Sequence, residues 1–437
     1  GSWGSLLESE RVESIRFAGN VGAMTASVAV PLQATGPIRG AAVRALFALA
    51  IGAFGIGMTE FVVMGLLPDL AADLLTSHFA ADPEAAIAQT GWLISFYALG
   101  VVIGAPTISG FAARYPRQRV LVVLAAAMAL CSALTAIAPT FELVAVSRLL
   151  AGLPHGAYFG MAALVAADML GPARRARGIA IVLTGLTVAN VVGVPLGTYM
   201  GQLIGWRTAF VAVTLVFAFA AVAIIFFVPK SPGDPGRTFR AELGVFRIPQ
   251  VWFTVGVGAI GFGGFFAVYS YVAPLVTEVA GQPAAAVPLI LVLMGLGMTV
   301  GTLLGGVSAD RNLARTIIGA MLVTSIAALV MLLVAQSIVA LAVLIFIFAT
   351  VASMISPAVQ TRLMDVAGDN QSIAAALTHS ALNVGNSLGA LLGGIVIASG
   401  WGFRSPVAVA LILSLAGAIV AAWSFRLDRR ATPKLRE

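Results

Sequence analysis

One acidic side chain stands out inside the long apolar runs of this sequence. Glu60 is the only one of the 18 aspartates and glutamates that lies well inside such a run. At 1.5 Å per residue it is about 12 Å from the end of the run near Pro68. An ionised carboxylate at this depth in a bilayer is costly, so it should be paired, protonated or exposed to a wet cavity. Glu60 is therefore predicted to exchange a proton, and a structural glutamate held by hydrogen bonds is the alternative.

A basic helical face is the second candidate. Arg148 is the only basic residue well inside an apolar run. His155 returns to nearly the same face seven residues later, with Gly152 between them. That face therefore carries a cation and a titratable imidazole, and an arginine that only holds helices together is the alternative to a functional role. The candidates for lining a substrate cavity are Thr59, His155, Phe265 and Tyr269, and lipid-facing aromatics are the alternative for the last two.

The composition shows which elements must position these residues. Of the 437 residues 60% are hydrophobic and 10% are charged, and the mean hydropathy is +1.01. Soluble domains contain about 25% charged residues, so the chain is predicted to be a polytopic membrane protein. The net charge of +7 comes from clusters between apolar runs, which indicates loops facing anionic lipid rather than a nucleic-acid surface. The single cysteine, Cys131, excludes a disulfide within the chain.

Twelve apolar runs are long enough to cross a bilayer as helices, each needing about 20 residues. They lie at approximately 45–68, 91–111, 119–138, 142–168, 178–202, 207–228, 250–275, 285–307, 315–335, 338–360, 371–398 and 403–425. Nearly all of the 25 lysines and arginines lie in the tails and alternate loops. The positive-inside rule then predicts that both termini are cytoplasmic and that the protein spans the plasma membrane many times.

An internal repeat divides the chain into two six-helix halves. Gly52 and Pro68 match Gly258 and Pro274 at an offset of 206 residues, and later matches, such as Asn190 with Asn386, have an offset of 196. The predicted fold is all-α, with two pseudo-symmetric halves. The predicted segments are a disordered cytoplasmic tail (1–44), an N-terminal half (45–228), a cytoplasmic loop (229–249), a C-terminal half (250–425) and a cytoplasmic tail (426–437). Met24 is a candidate for the natural start.

At these motifs the chain resembles the major facilitator superfamily, and within it the drug:proton antiporters of the sugar- and arabinose-efflux type. The loop from Gly110 to Arg119 stands at the superfamily's loop motif, with Arg114 where an acid is expected. The second copy, from Gly306 to Arg315, keeps the acid, and Arg148 with Gly152 is similar to the span-four motif of proton-coupled members.

The resemblance implies roles for two further sets of residues. Loop-motif and gating roles fall on Gly110, Arg114, Arg117, Arg119, Gly306, Asp310, Arg311 and Arg315. Close helix packing is expected at Gly193, Pro195, Gly197, Gly385, Gly389 and Gly393. The glycine stripes are also candidates for a gating contact between the halves.

These features together predict a secondary transporter that exports a small organic solute, such as a drug, a sugar or a related metabolite, in exchange for protons. Glu60 and Arg148 are the predicted proton-coupling residues. No nucleotide-binding loop, hydrolase motif or metal-ligand spacing is present, so no enzyme activity, cofactor or metal is expected. The partners are the solute, protons and lipid, with no obligatory protein partner, and a monomer would suffice. The alternatives are an uptake symporter or uniporter and, in another class, a membrane solute sensor.

Overall fold

The computed structural model describes residues 40–112, 114–171, 175–230, 246–367 and 371–431. We call residues 40–230 the N-terminal group and residues 246–431 the C-terminal group. The predicted tail up to residue 39, Met24, most of the predicted inter-half loop and the last six residues lie outside the described residues. The first helix begins at Gly40, five residues before the predicted start of span one.

The described residues are almost entirely helical. The helices of the N-terminal group are α1 Gly40–Gly65, α2 Leu67–Leu74, α3 Thr76–Ala81, α4 Pro83–Thr90, α5 Trp92–Ala112, α6 Arg117–Ile137, α7 Phe141–Leu170, α8 Arg175–Val188, α9 Val194–Ile204 and α10 Trp206–Phe227. Those of the C-terminal group are α11 Pro249–Ser270, α12 Val272–Pro274, α13 Val287–Val334, α14 Ile338–Ser353, α15 Ile355–Ala367, α16 Gln371–Val396 and α17 Ser405–Ala431. Short π-helical segments join α8 to α9 and follow α12 and α16.

Eleven helices of the described residues are long and apolar enough to cross a membrane. The twelve predicted spans differ from this number at α13, which contains the predicted spans 285–307 and 315–335. Its 48 residues would be about 70 Å long if straight, more than twice the thickness of a bilayer core. The helix is interrupted at Asn312, which has φ −159° and ψ 95°. The Asn312 side chain accepts a hydrogen bond of 3.0 Å from the Arg315 amide, as an N-cap does where a new helix starts.

Two other elements differ from the predicted runs. The segment between the predicted runs 45–68 and 91–111 contains the short helices α2, α3 and α4. The predicted span 338–360 consists of α14 and the start of α15, with a break at Met354. Pro357 lies just beyond this break, and because proline has no amide hydrogen it cannot bond to the preceding turn.

The predicted glycine stripes pack helices within each group. A Cβ at Gly193 would meet Met58 and Phe54 of α1, and one at Gly197 would lie 3.0 Å from Val62. In the C-terminal group, Gly385 and Gly389 face the backbone of α11, and Gly393 faces Tyr271. Pro195 lies two residues after the π-helical turn Ala189–Gly193 in a continuous helical path, so its missing amide hydrogen removes a backbone bond there. These close neighbours lie within the same group, which differs from the predicted gating contact between the halves.

The two groups contact each other at the end of the molecule where α1 ends and α5 begins. Gln202 donates a hydrogen bond of 3.1 Å to the Ala284 carbonyl, and the Ser95 hydroxyl donates one of 3.3 Å to the Ser387 carbonyl. Nearby, the Phe61 ring stacks on Tyr269 with centroids 5.2 Å apart. We call this region the closed end; the candidate site lies just inside it.

Candidate functional site

Glu60 lies between the two groups of helices. It is five residues from the end of α1, and only 5% of its surface is exposed. Its Oε1 accepts a hydrogen bond of 3.1 Å from Asn386 Nδ2 on α16, so the bond joins the N-terminal group to the C-terminal group. Its other oxygen, Oε2, is 4.0 Å from His155 Nδ1 on α7. The acid predicted from its position in an apolar run therefore contacts both groups.

Arg148 approaches this acid without forming an ion pair with it. The guanidinium is fully buried, and its Nη1 donates a hydrogen bond of 3.0 Å to the hydroxyl of Thr59, the neighbour of Glu60. It also lies 4.2 Å above the centre of the Tyr97 ring, a cation–π geometry. Its Nε and Nη2 have no hydrogen-bond partner among the described residues. Thr59, predicted to line a substrate cavity, is 1% exposed and accepts the hydrogen bond from Arg148.

His155 connects the acid to two further side chains. A hydrogen bond of 3.0 Å joins its Nδ1 to the Tyr97 hydroxyl. The His379 ring, on α16, lies 6.2 Å from the His155 ring, and Phe159 stacks on His379 with centroids 5.0 Å apart. The sequence carries no signal for a partner of His379, and the packing of α7 against α16 across the two groups brings His155 and Phe159 to it.

An aromatic wall closes the side of the site formed by α11. Phe265 and Tyr269, both predicted to line a cavity, are fully buried, and their ring centroids are 5.4 Å apart. Phe265 also stacks near Phe348, and Tyr269 stacks on Phe61, the neighbour of Glu60. Because these rings leave the acid in apolar surroundings, its ionised form depends on the few polar groups that reach it.

The two copies of the loop motif have different surroundings. Arg117 forms an ion pair with Asp168 at the end of α7. The exposed Arg114 lies over the rings of Phe111 and Tyr115 at 5.7 and 5.9 Å. Gly110 ends up in the last turn of α5, and Arg119 is exposed in α6. In the second copy Gly306 lies in α13, and Asp310, Arg311 and Arg315 are exposed on both sides of the break at Asn312.

Sequence reasoning missed Asn386 and Tyr97 as members of the site. Asn386 was noted only as a repeated residue, although an amide inside a membrane span is itself a functional signal. Tyr97 carries a polar group inside an apolar run, which is a weaker signal of the same kind. Among the described residues, no group of three or more histidine, cysteine or acidic side chains is arranged to hold a metal ion.

Comparison with known proteins places this chain in a family. The sequence pattern of the Major Facilitator Superfamily matches residues 49–369 and 273–437. The chain is 35% identical to the inner membrane transport protein YdhP of Escherichia coli K12, over 85% of this chain and 93% of that protein. It is 30% identical to a chloramphenicol resistance protein of Streptomyces lividans, over 87% of this chain and 96% of that protein.

A solved structure supports the same fold. The crystal structure of a D-xylose-proton symporter superimposes with a TM-score of 0.69, covering 87% of this chain and 97% of that one. Its sequence identity of 15% means that the likeness concerns the fold alone. The superfamily predicted from the motifs is confirmed, and the protein is a multi-pass membrane transporter rather than an enzyme. The matches over most of its length show that the chain belongs to the Major Facilitator Superfamily.

Proposed function

We propose that this protein is a proton-coupled antiporter that exports a small organic solute by alternating access. The observation that carries the proposal is Glu60, a buried acid in contact with both groups of helices. In a bilayer such an acid favours loss of its charge unless polar groups compensate. Glu60 would release its proton when solute binds on one side and take up a proton on the other.

Arg148 is proposed to stabilise the ionised acid. Its guanidinium is anchored on Thr59 and Tyr97, and it approaches Glu60 without neutralising it in an ion pair. A cation close to the acid but not bonded to it favours the ionised carboxylate and leaves it free to accept a proton or a hydrogen bond from the solute. His155 would assist, and Phe265 and Tyr269 would form an apolar wall against the solute.

The proposed topology has twelve membrane crossings, with α13 crossing twice on the two sides of Asn312. Both termini would then be cytoplasmic, as the distribution of lysine and arginine predicts. In this orientation the closed end faces outward. The ion pair of Arg117 with Asp168 lies at the cytoplasmic end, where it would serve as a gating contact. The protein would act as a monomer in the plasma membrane.

Export is favoured over uptake by the name of one relative. It is a chloramphenicol resistance protein, and resistance is consistent with removal of a drug from the cell. A drug, a sugar or a related metabolite is therefore the proposed cargo.

The test uses inside-out vesicles that hold a proton gradient. Chloramphenicol, D-xylose and a panel of cationic drugs and nucleosides would be added, and collapse of the gradient would be followed for the wild type and Glu60→Gln. Glu142→Gln, the same change at an exposed acid at the start of α7, is the matched control. We expect at least one compound to dissipate the gradient in the wild type and the control but not in Glu60→Gln.

Two results would contradict the proposal. Equal responses of the wild type and Glu60→Gln to a transported compound would show that Glu60 does not couple the proton. Acidification driven by inward solute movement in right-side-out vesicles, with no export, would indicate an uptake symporter instead.

A further inference from the structure

We propose that Asn386 is a latch that keeps the empty, deprotonated transporter from changing its conformation. This inference rests on the proposed function and assigns a positioning role to a residue that no motif singles out. The Asn386 amide donates to Glu60 across the two groups of helices and is fully buried. Among the described residues, this hydrogen bond joins the proton-exchanging acid directly to the C-terminal group.

The charge of Glu60 sets the strength of this latch. A hydrogen bond to an ionised carboxylate is roughly twice as strong as one between neutral groups. The structure shows Asn386 Nδ2 donating to Glu60 Oε1, which is the arrangement that an ionised carboxylate accepts. In the protonated state the acid becomes a donor, and the Asn386 Oδ1, which has no hydrogen-bond partner among the described residues, can accept after rotation of the amide. Protonation therefore weakens the latch without leaving either group unpaired.

The other groups around Glu60 do not replace Asn386 in this role. Arg148, His155 and Tyr97 belong to the N-terminal group and move with the acid. Tyr269, from α11, is fully buried, and its hydroxyl has no hydrogen-bond partner among the described residues. Separation of the two groups at the closed end therefore breaks the Asn386 bond while the contacts on α5 and α7 persist.

The latch has a direct consequence for coupling. If the empty, deprotonated transporter could open its closed end, it would take up a proton outside and release it inside, which is a proton leak without export. The bond between Asn386 and ionised Glu60 opposes this step. A solute that offers a cation or a hydrogen-bond donor to Glu60 would displace Asn386 and allow the change, so the latch links solute binding to opening.

The experiment measures proton leak in proteoliposomes without any solute. Purified wild type, Asn386→Ala and Asn386→Leu would be reconstituted at equal density, and acidification of an internal pH dye would be followed after an imposed gradient. Asn386→Leu keeps a similar side-chain volume but has neither donor nor acceptor, which guards against a packing defect. The matched control is Asn190→Ala, because the repeat aligns Asn190 with Asn386 but its amide donates to the Leu186 carbonyl of its own helix.

We expect the leak of both Asn386 variants to exceed that of the wild type about tenfold, as loss of a hydrogen bond to a charged group implies. Asn190→Ala should match the wild type. The double variant Glu60→Gln with Asn386→Ala should be tight, because its leak has lost the proton carrier. A general packing defect would leak with or without Glu60.

Three results would overturn the latch. The first is a leak in both Asn386 variants that is no greater than that of the wild type. The others are a leak in Asn190→Ala as large as that of the Asn386 variants, or a raised leak that persists in the double variant. The proposed function fails separately. If Glu60→Gln alone retains full solute-driven proton flux, antiport through Glu60 is wrong. If that flux depends on Glu60 and the Asn386 variants remain tight, the latch alone is wrong.

Discussion

The centres of the two groups of helices share a scaffold but differ in chemistry. At the repeat offset of 206, Thr59 and Glu60 of α1 align with Phe265 and Phe266 of α11. At the offset of 196, Arg148 aligns with Leu344. Both α1 and α11 pack against a glycine stripe of their own group. The repeat thus preserves the close helix packing, while the N-terminal group carries Glu60 and Arg148 at positions where the aligned residues of the C-terminal group are apolar.

This asymmetry shows how a duplicated fold can carry a single coupling site. The N-terminal group holds Arg148 near Glu60 through the contacts of Arg148 with Thr59 and Tyr97. The other group presents an aromatic wall and one amide, Asn386. Relative movement of the groups then separates Glu60 from Asn386, while Arg148 and His155 keep their places in the N-terminal group.

The largest expected effect is at the aligned pair Glu60 and Phe266. Glu60→Gln should reduce solute-driven proton flux to the background of empty vesicles, because an amide cannot carry the proton. Phe266→Leu should keep most of the flux, since leucine preserves an apolar wall. The vesicle assay measures both. Equal loss in the two variants would show that the C-terminal group contributes to coupling as much as the N-terminal group.

A smaller effect is expected at Arg148 and Leu344. Arg148→Leu should lower the flux at least about tenfold, because a buried cation near an acid contributes more than the 1.4 kcal/mol that a factor of ten represents. Its Tm in detergent should change little, since loss of the bond to Thr59 is offset by removal of two unpartnered donors. Leu344→Ala should instead keep the flux and cost about 2 kcal/mol of stability. The reverse pattern would contradict the assignment of charge stabilisation to Arg148.

The aligned glycines Gly389 and Gly193 should differ in stability. A Cβ at Gly389 would lie 2.6 Å from the Ala267 amide nitrogen, in main chain that cannot move aside. A Cβ at Gly193 would lie 2.8 Å from Met58 Cγ and from Phe54 Cζ, which are side-chain atoms that can move aside. Gly389→Ala should therefore cost about 3 kcal/mol and Gly193→Ala about 1 kcal/mol. Thermal unfolding in detergent measures the difference, and equal values would show that both stripes are packed alike.

The smallest effect concerns Asp73, near the closed end of the N-terminal group. Hydrogen bonds from Arg207 and Trp206 lower the pKa of Asp73. Because this pKa is lower in the folded state, the stabilisation is present above the unfolded pKa and is lost as the pH falls through the folded one, below about 4. Asp73→Asn should lower stability by less than about 1 kcal/mol at neutral pH, since the pair is half exposed.

The difference in stability between the wild type and Asp73→Asn should vanish at low pH. Thermal unfolding of the wild type and Asp73→Asn at pH 7 and near pH 3 would reveal it. A difference that persists unchanged at the lower pH would mean that the carboxylate charge does not contribute.

Much of the membrane architecture was predictable, because lipid requires long apolar helices. The run 91–111 corresponds to α5 and 371–398 to α16, each within a few residues. The predicted runs 285–307 and 315–335 both correspond to parts of α13, on the two sides of Asn312, where the backbone leaves helical angles. The break at Met354 was missed, because a run of apolar residues does not show where proline interrupts the backbone hydrogen bonds.

The sequence by itself determined which residues carry charge into the membrane, since Glu60 and Arg148 are visible against apolar neighbours in any window of the chain. Only the tertiary structure decided what they meet. Glu60 and Asn386 are 326 residues apart and become neighbours because α1 and α16 pack across the two groups. Arg148 binds Thr59 rather than Glu60 for a similar reason: the packing of α7 against α1 decides which side chain of α1 the guanidinium reaches. Apolar periodicity encodes the burial of each helix, whereas partner choice depends on contacts that form only when all the helices are assembled.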